Sequence, residues 1–411
     1  MRRALLLLLL LALPAGAAPG GLRLLWEDRF PWPVRWVVAA DSGILLVGSD
    51  RGSLVRAWDG ASGTRLWQRS ARAGLWSPPA VRGTTLYLSP HDQALLSLRL
   101  DTGDLLWWLG PRFPEGPKPL PGLPEAPPLN RAAPLPLADQ VATVSLQGRL
   151  SVVGPTGEIA RQVDLQDPRR ASDRFWATPT ALEGVLYAGT VQGSLWQVPL
   201  EAPDRARRYR LQTPVDKALG SAAREVRAPL ATCGGRVLVA TMDGTLHAWV
   251  PEGQGLVPDW RRVPERRGAY QCTPEGLALP APVPDEESGT VYLGLLDRVV
   301  AVQARSGAVQ WEHRLPAPLA TRPAPWRGDL LVGLRGGRLL ALDRRQGQVR
   351  WSADLPASPT AGPALWQDQV VLGFADGSIR AWDLSSRVEA QAGADGSPRA
   401  SSSSAAIRIP R

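Results

Sequence analysis

At 411 residues the chain can build one large or several small domains, and 44% hydrophobic content with 17 Trp excludes general disorder despite 41 Gly and 40 Pro. The net charge of +9 and pI of 10.4 come almost wholly from arginine, since Lys118 and Lys217 are the only lysines. The arginines are spread along the chain, and even their richest groups, Arg205–Arg210 and Arg261–Arg267, read as solvated strand ends and loops, so no nucleic-acid partner is expected.

The chain begins "MRRALLLLLLLALPAGAAPGG", with two arginines, an apolar run from Ala4 to Leu13, and then Ala15-Gly16-Ala17. That order describes a secretory signal peptide over 1–17, and the run is too short to span a bilayer. Loss of Arg2 and Arg3 leaves a mature charge of about +7. No other segment reaches 18 apolar residues and no cysteine follows the run, so neither a transmembrane span nor a lipid anchor is expected. The mature protein is expected to be exported and soluble, in the periplasm or outside the cell.

Next in the chain comes "AWDGASGTRLW", 57–67, which recurs at a fixed interval. "SLRLDTGDLLW" runs from Ser97 to Trp107, "AVQARSGAVQW" from Ala301 to Trp311 and "ALDRRQGQVRW" from Ala341 to Trp351, while "AWDL" restarts at Ala381. Steps of 40 residues mark a repeat architecture. Within 321–355 the strands expected are Thr321–Pro325, Leu330–Leu334, Arg338–Asp343 and Val349–Leu355, separated by Arg327-Gly328, Gly336-Gly337 and Gln346-Gly347 turns. Four short strands per repeat with no helical period predict an all-β fold, a β-propeller of four-stranded antiparallel blades.

The second strand of each blade counts them. It reads "LLVGS" at 45–49, "LYLSP" at 86–90, "VATVS" at 141–145, "LYAGT" at 186–190, "VLVAT" at 237–241, "VYLGL" at 291–295, "LLVGL" at 330–334 and "VVLGF" at 370–374. Eight blades are therefore expected, near 33–70, 74–110, 128–165, 174–211, 225–263, 270–315, 319–355 and 358–384. The small residue ending each such strand is expected to let a neighbouring blade's backbone approach. The eighth repeat lacks its Trp-bearing strand, and "LRLLWEDRF", 22–30, matches "GQVRWSADL" with Trp26 in the Trp351 place. An N-terminal strand is expected to complete the last blade, close the ring and remove exposed edges.

In the recurring motif, Ala57 ends the third strand, Asp59 caps the turn, Gly63 supplies a positive φ, and Trp67 packs between adjacent blades. Ala301, Gly307, Trp311, Ala341, Asp343, Gly347, Trp351, Trp107 and Trp26 take the same docking places. The pattern is structural, not catalytic. Cys233 and Cys272, 39 residues apart, are either a disulfide, which an oxidising compartment permits, or two small buried residues, and their spacing matches no zinc site.

The pattern A-x-D-x-x-[TS]-G-x-x-x-W resembles the tryptophan-docking repeat of the pyrroloquinoline-quinone (PQQ) β-propeller family. Ala57, Asp59, Ser62, Gly63 and Trp67 match throughout, and 341–351 departs only by Gln346. "VVGPTGEIARQ" lacks the Trp, "VPLEAPDRARRY" lacks both Gly and Trp, and the fifth blade delays its Trp to Trp260. The Gly-His dipeptide of WD repeats is absent here, although Trp58-Asp59 and Trp382-Asp383 imitate their namesake pair. The resemblance implies one of two branches. Quinoprotein dehydrogenases of the family hold PQQ and calcium with a vicinal Cys-Cys pair, Asp, Glu and Asn; this chain has no Cys-Cys, and Asn130 is its sole asparagine. The non-enzymatic branch, similar to the BamB component of outer-membrane barrel assembly, binds protein partners through loops.

The three histidines, His91, His247 and His313, fall in different repeats and form no expected triad. "GSDRG", 48–52, lies between strands and predicts no phosphate cradle, and "DEES", 285–288, reads as a solvated acidic loop. Three insertions, 111–134 (Pro-rich), 213–225 and 280–289 (acidic), are the expected recognition surface for protein partners. The tail 387–411 is Ser/Ala-rich and expected to be disordered. The expectation is a monomeric, non-enzymatic scaffold of the cell envelope without a cofactor, with outer-membrane protein assembly as the specific role. A PQQ-dependent dehydrogenase, with PQQ and calcium, or a propeller binding cell-wall sugar or peptide are the alternatives.

Overall fold

The computed structural model describes residues 21–49, 52–71, 74–90, 95–109, 132–165, 173–212, 223–263 and 281–387. The signal segment 1–17, Cys272, His91, Asn130, most of the 111–134 and 213–225 insertions, and the tail from 388 lie outside the described residues.

Short β-rich segments broken by glycine turns cannot bury both faces alone, and here eight four-stranded antiparallel sheets pack in a ring. In seven of them the strands follow in chain order from first to fourth, as in Ala324–Trp326, Asp329–Leu334, Arg338–Asp343 and Val349–Asp354 of blade 7. First strands of neighbouring blades touch one another, such as Trp36–Ala39 with Pro359–Trp366 and Ala231–Cys233 with Pro282–Asp285, so they line the centre. Fourth strands form the outer edge. The last blade takes that strand from the N-terminus: Arg23–Arg29 pairs antiparallel with Ser378–Asp383, with Trp26 opposite Ala381. The ring is closed as the repeat match implied.

There is no single core. The buried apolar residues form eight clusters, one at each blade junction. Sizes differ: the junction of blades 1 and 2 buries 13 residues, that of blades 2 and 3 only Tyr87, Leu95, Val141 and Val153.

The recurring motif is explained by a cross-strand pair. Ala57 faces Trp67, Ser97 faces Trp107, Ala301 faces Trp311 and Ala341 faces Trp351, each followed at once by a β-bulge. A small residue is needed opposite the indole, and the bulge turns the ring toward the next blade. Trp260, delayed in sequence, still faces Ala248 beside a bulge.

Each docking Trp then lands on the next blade's turn glycine. Trp26 covers Gly63, Trp67 covers Gly103, Trp107 covers Gly157, Trp260 covers Gly307 and Trp311 covers Gly347. The indole N–H of each donates to a carbonyl of that turn: Trp26 to Gly60 at 3.0 Å, Trp67 to Leu100 at 2.8 Å, Trp107 to Pro155 at 2.7 Å, Trp260 to Ala304 at 2.9 Å and Trp311 to Arg344 at 2.9 Å. Asp59 caps its turn through the Ser62 N–H at 2.8 Å, and that bond holds its carboxyl below the usual range. Gly63 has φ +69°.

Three junctions depart from this. Between blades 3 and 4, Arg161 reaches Glu201 at 2.8 Å. Between blades 4 and 5, Tyr209 accepts the Leu256 N–H at 3.0 Å in place of an indole. Trp351 turns back to its own blade and donates to Asp329 at 3.0 Å.

The small residues of the second strands have a different neighbour from the one expected. A Cβ on Gly48, Gly189, Gly294 or Gly373 would strike the side chains of Trp36, Val226, Leu319 or Val34, not an adjacent backbone. The glycines make room for side chains that enter beside the inner strands.

Candidate functional site

Antiparallel order divides the loops between two rims. Connections from one blade's outer strand to the next blade's inner strand share a rim with the hairpins joining second and third strands. The opposite rim carries the first-to-second hairpins and the Trp-docking turns. Insertions 111–134 and 213–225, most of whose residues lie outside the described ones, run in sequence from one blade's outer strand to the next blade's inner strand. The third insertion, 280–289, does not join them: Pro282–Asp285 is an inner strand, and 286–289 is its hairpin on the turn rim. The described part of 280–289 therefore sits on the rim opposite to the ends of the blade-to-blade connections.

Of the acidic stretch within it, 286–288 is exposed as a solvated loop would be, but Asp285 is buried. It is ion-paired to Arg344 of blade 7, and accepts the Ser288 hydroxyl at 2.6 Å. Burial alone would push the Asp285 carboxyl up, but the Arg344 and Ser288 hydrogen bonds outweigh it and the net shift is downward. Glu286 accepts the Gly234 N–H of blade 5 at 3.1 Å. The sequence "DEES" therefore ties blades 5, 6 and 7 together.

A polar cleft of about 1140 Å³ opens here between blades 6 and 7, lined by Asp285, Tyr292, Arg327, Asp343, Arg344 and Arg350 among others. Its charges are largely satisfied from within: Arg350 pairs with Asp343, and Arg327 pairs with Asp368 of blade 8 at 2.8 Å. The cleft is an ion-pair ladder across three blades, and it leaves few convergent groups for a ligand.

The connection rim is organised differently. Arg35, entering blade 1, lies over the Trp76 ring entering blade 2 at 5.6 Å, and Arg227 of blade 5 lies over Trp176 of blade 4 at 4.2 Å. Glu225 holds Arg227 in an ion pair. Neighbouring blades thus present guanidinium-capped indoles beside the central channel. Deeper in, at the approach to the inner strand of blade 7, Arg322 is exposed to solvent, yet it is surrounded by protein densely enough for burial to lower its pKa. Among the described residues no carboxylate pairs with it.

The other residues singled out by sequence do not converge. His247 is buried in the third strand of blade 5, where burial and the Arg261 charge lower its pKa to about 3, so it is neutral at ordinary pH. His313 lies in an outer strand. Cys233 is a buried free thiol pushed up to about 11 by burial and the Glu286 charge, and its suggested partner Cys272 lies outside the described residues. The docking residues Ala57, Asp59, Gly63, Trp67, Trp107, Ala301, Gly307, Trp311, Ala341, Asp343, Gly347, Trp351 and Trp26 all sit at blade junctions or in the strands and turns that form them. Arg322 and the Arg–Trp pairs were missed because the position before each inner strand is filled now by Arg and now by Trp, at no fixed offset from the Trp-docking motif. Alignment of the blades on their inner-strand starts would have found them.

No group of three or more His, Cys, Asp or Glu that could hold a metal ion occurs among the described residues. No helix among the described residues is long and apolar enough to cross a membrane.

Comparison with known proteins follows the fold. No curated protein sequence matches this one. Among solved structures, the computationally designed Ika8 protein is 16% identical with a TM-score of 0.65, covering 88% of this chain and 100% of its own. The quinohemoprotein alcohol dehydrogenase of Comamonas testosteroni is 15% identical with a TM-score of 0.64, covering 89% of this chain and 77% of its own. BamB from Moraxella catarrhalis is 15% identical with a TM-score of 0.43, covering 88% of this chain and 99% of its own. At such identities the likeness shows the fold alone. A family model described as outer membrane protein assembly factor BamB matches residues 17–213 and 260–409. With most of its length matched and eight four-stranded blades in a ring, the chain belongs to the PQQ-repeat β-propeller family of the BamB type.

Proposed function

We propose that this chain is a non-enzymatic scaffold of the cell envelope that binds protein partners at its connection rim during outer-membrane protein assembly. The observation that carries this reading is the family match over 17–213 and 260–409, whose description names that process. Support comes from the rim itself. The Trp76 and Trp176 faces are stacked by Arg35 and Arg227 of neighbouring blades, a charged and aromatic surface of the kind enriched in protein interfaces. The signal segment at 1–17 fits export to that compartment.

The test is site-specific photo-cross-linking in the living host from positions 35, 76 and 227. Adducts to outer-membrane assembly components, together with reduced outer-membrane protein levels when the gene is deleted, are expected. Unchanged outer-membrane protein levels and no rim adducts overturn the reading.

One observation favours a second reading, a small anionic ligand in the channel: Arg322 has no carboxylate partner among the described residues. A thermal-shift titration of the mature protein with PQQ, a polycarboxylate, with and without calcium decides it. A saturable rise that Arg322→Gln removes supports a channel ligand; no rise sets it aside.

A further inference from the structure

The two rims carry opposite charge. The hairpins of the turn rim, all of them described, hold eleven acidic residues and five arginines, in a chain whose net charge is +9. Asp41, Asp139, Glu183, Asp204 and Glu287 are exposed there and pair with no arginine among the described residues. At the connection rim the acids are engaged. Asp164 pairs with Arg149 at 2.9 Å, Asp297 with Arg298 at 2.9 Å and Asp354 with Arg338 at 3.2 Å, while Asp173 and Asp243 are buried. Arginines are left over. Arg210, Arg224, Arg314 and Arg335, one on each of blades 4 to 7, have no carboxylate partner among the described residues. The stretches outside the described residues between 50 and 280 run in sequence between strand ends of this same rim. With ten basic and eight acidic residues, they do not reverse its sign.

From this we infer that the connection rim of blades 4 to 7 receives an acidic protein surface, and that the opposite sign of the turn rim fixes which face of the ring meets it. The two rims act separately. A six-residue strand such as Asp329–Leu334 holds them about 20 Å apart, more than twice the Debye length of about 8 Å at physiological salt. An approaching partner therefore feels the rim it faces, not the charge of the whole chain. The cations are guanidinium groups, whose planar fork matches a carboxylate with two parallel hydrogen bonds. An anionic membrane fits less well. Every exposed large apolar side chain among the described residues lies on an outer strand, from Leu24 to Val349, so the described loops of this rim offer none to insert between lipids. A second copy would have to set its turn rim on this one, a head-to-tail contact that repeats without closing.

The inference rests on the rim reading and names the chemistry of the partner. The test uses the full mature chain and a fluorescent peptide of alternating aspartate and serine, with phosphatidylglycerol vesicles as a second probe. One variant carries Arg210→Gln, Arg314→Gln and Arg335→Gln on the connection rim. The other carries Arg205→Gln, Arg305→Gln and Arg345→Gln, three exposed arginines of the turn rim, so both lose the same net charge. Melting curves show that both are folded. Saturable peptide binding that weakens with salt, at least fivefold weaker in the connection-rim variant and within twofold of the parent in the other, is the result expected. Equal weakening in both variants would mean that net charge alone is read, and would overturn the inference. So would binding of the vesicles but not the peptide, no peptide binding at low salt, or concentration-dependent assembly of the parent on sizing chromatography that the connection-rim variant abolishes. Adducts from positions 35, 76 and 227 with no difference between the variants would leave the rim reading standing and this one refuted. A clear difference without adducts to outer-membrane assembly components would do the reverse.

Discussion

Gly347 and Gly336 both have positive φ, +70° and +85°, but their surroundings differ. A Cβ on Gly347 would lie 2.4 Å from the Trp311 ring, whereas one on Gly336 meets nothing within 4 Å. Gly336→Ala therefore carries only the left-handed backbone cost, about 1 kcal/mol, while Gly347→Ala adds an overpacking cost of about 1–3 kcal/mol. Urea midpoints should rank parent, then Gly336→Ala, then Gly347→Ala. His247 provides a pH signature at the same scale. Its folded pKa of about 3 lies below the unfolded value near 6.5, so the unfolded state takes up its proton first on acidification. The stability it contributes is full above about pH 6.5 and is lost as pH falls toward 3, by about 4 kcal/mol at pH 3.5. Unfolding at pH 7, 5 and 3.5 should show a shallower decline for His247→Gln than for the parent, the difference excluding the carboxylates common to both.

Between elements, the junctions are not equivalent. Asp285 and Arg344 join blades 6 and 7 as a largely buried pair, side chains 6% and 18% exposed. Loss of one partner leaves the other's charge uncompensated, so Arg344→Met should destabilise by about 3–5 kcal/mol, and Asp285→Leu added to it should restore much of that. A double-mutant cycle by urea unfolding measures the coupling. The junction of blades 2 and 3, with four buried apolar residues among those described, should be the first to open. Native-state hydrogen exchange should give Leu105–Leu109 and Leu135–Pro136 lower opening free energies than strands of blades 6 and 7, where Val291, Val299, Leu330 and Leu342 are fully buried. Equal protection around the ring would refute that ordering.

For the whole molecule, closure depends on residues 23–29. Trp26 covers Gly63, Arg23 pairs with Asp383 at 2.6 Å, and Arg380 pairs with Glu27 at 3.0 Å. Deleting 22–30 would expose the Ser378–Asp383 edge and uncover the junction of blades 8 and 1, so the variant should melt cooperatively at a markedly lower temperature and aggregate on sizing chromatography. Melting unchanged from the parent would mean that the ring holds without its latch. The sequence by itself determined the repeat, the blade count and this latch, because strand alternation, turn glycines and the Ala-to-Trp spacing are written inside each 40-residue unit. It also carried the docking role of Trp67 or Trp311, since a bulky residue at a fixed turn offset has only the neighbouring blade to meet. Only the tertiary structure decided the rest. Asp285 became a buried tie to Arg344, and the hairpin at 286–289 fell on the rim opposite to the blade-to-blade connections. Each depends on strand direction and on which blade stands beside which. Those relations join residues dozens of positions apart, and no local pattern records them.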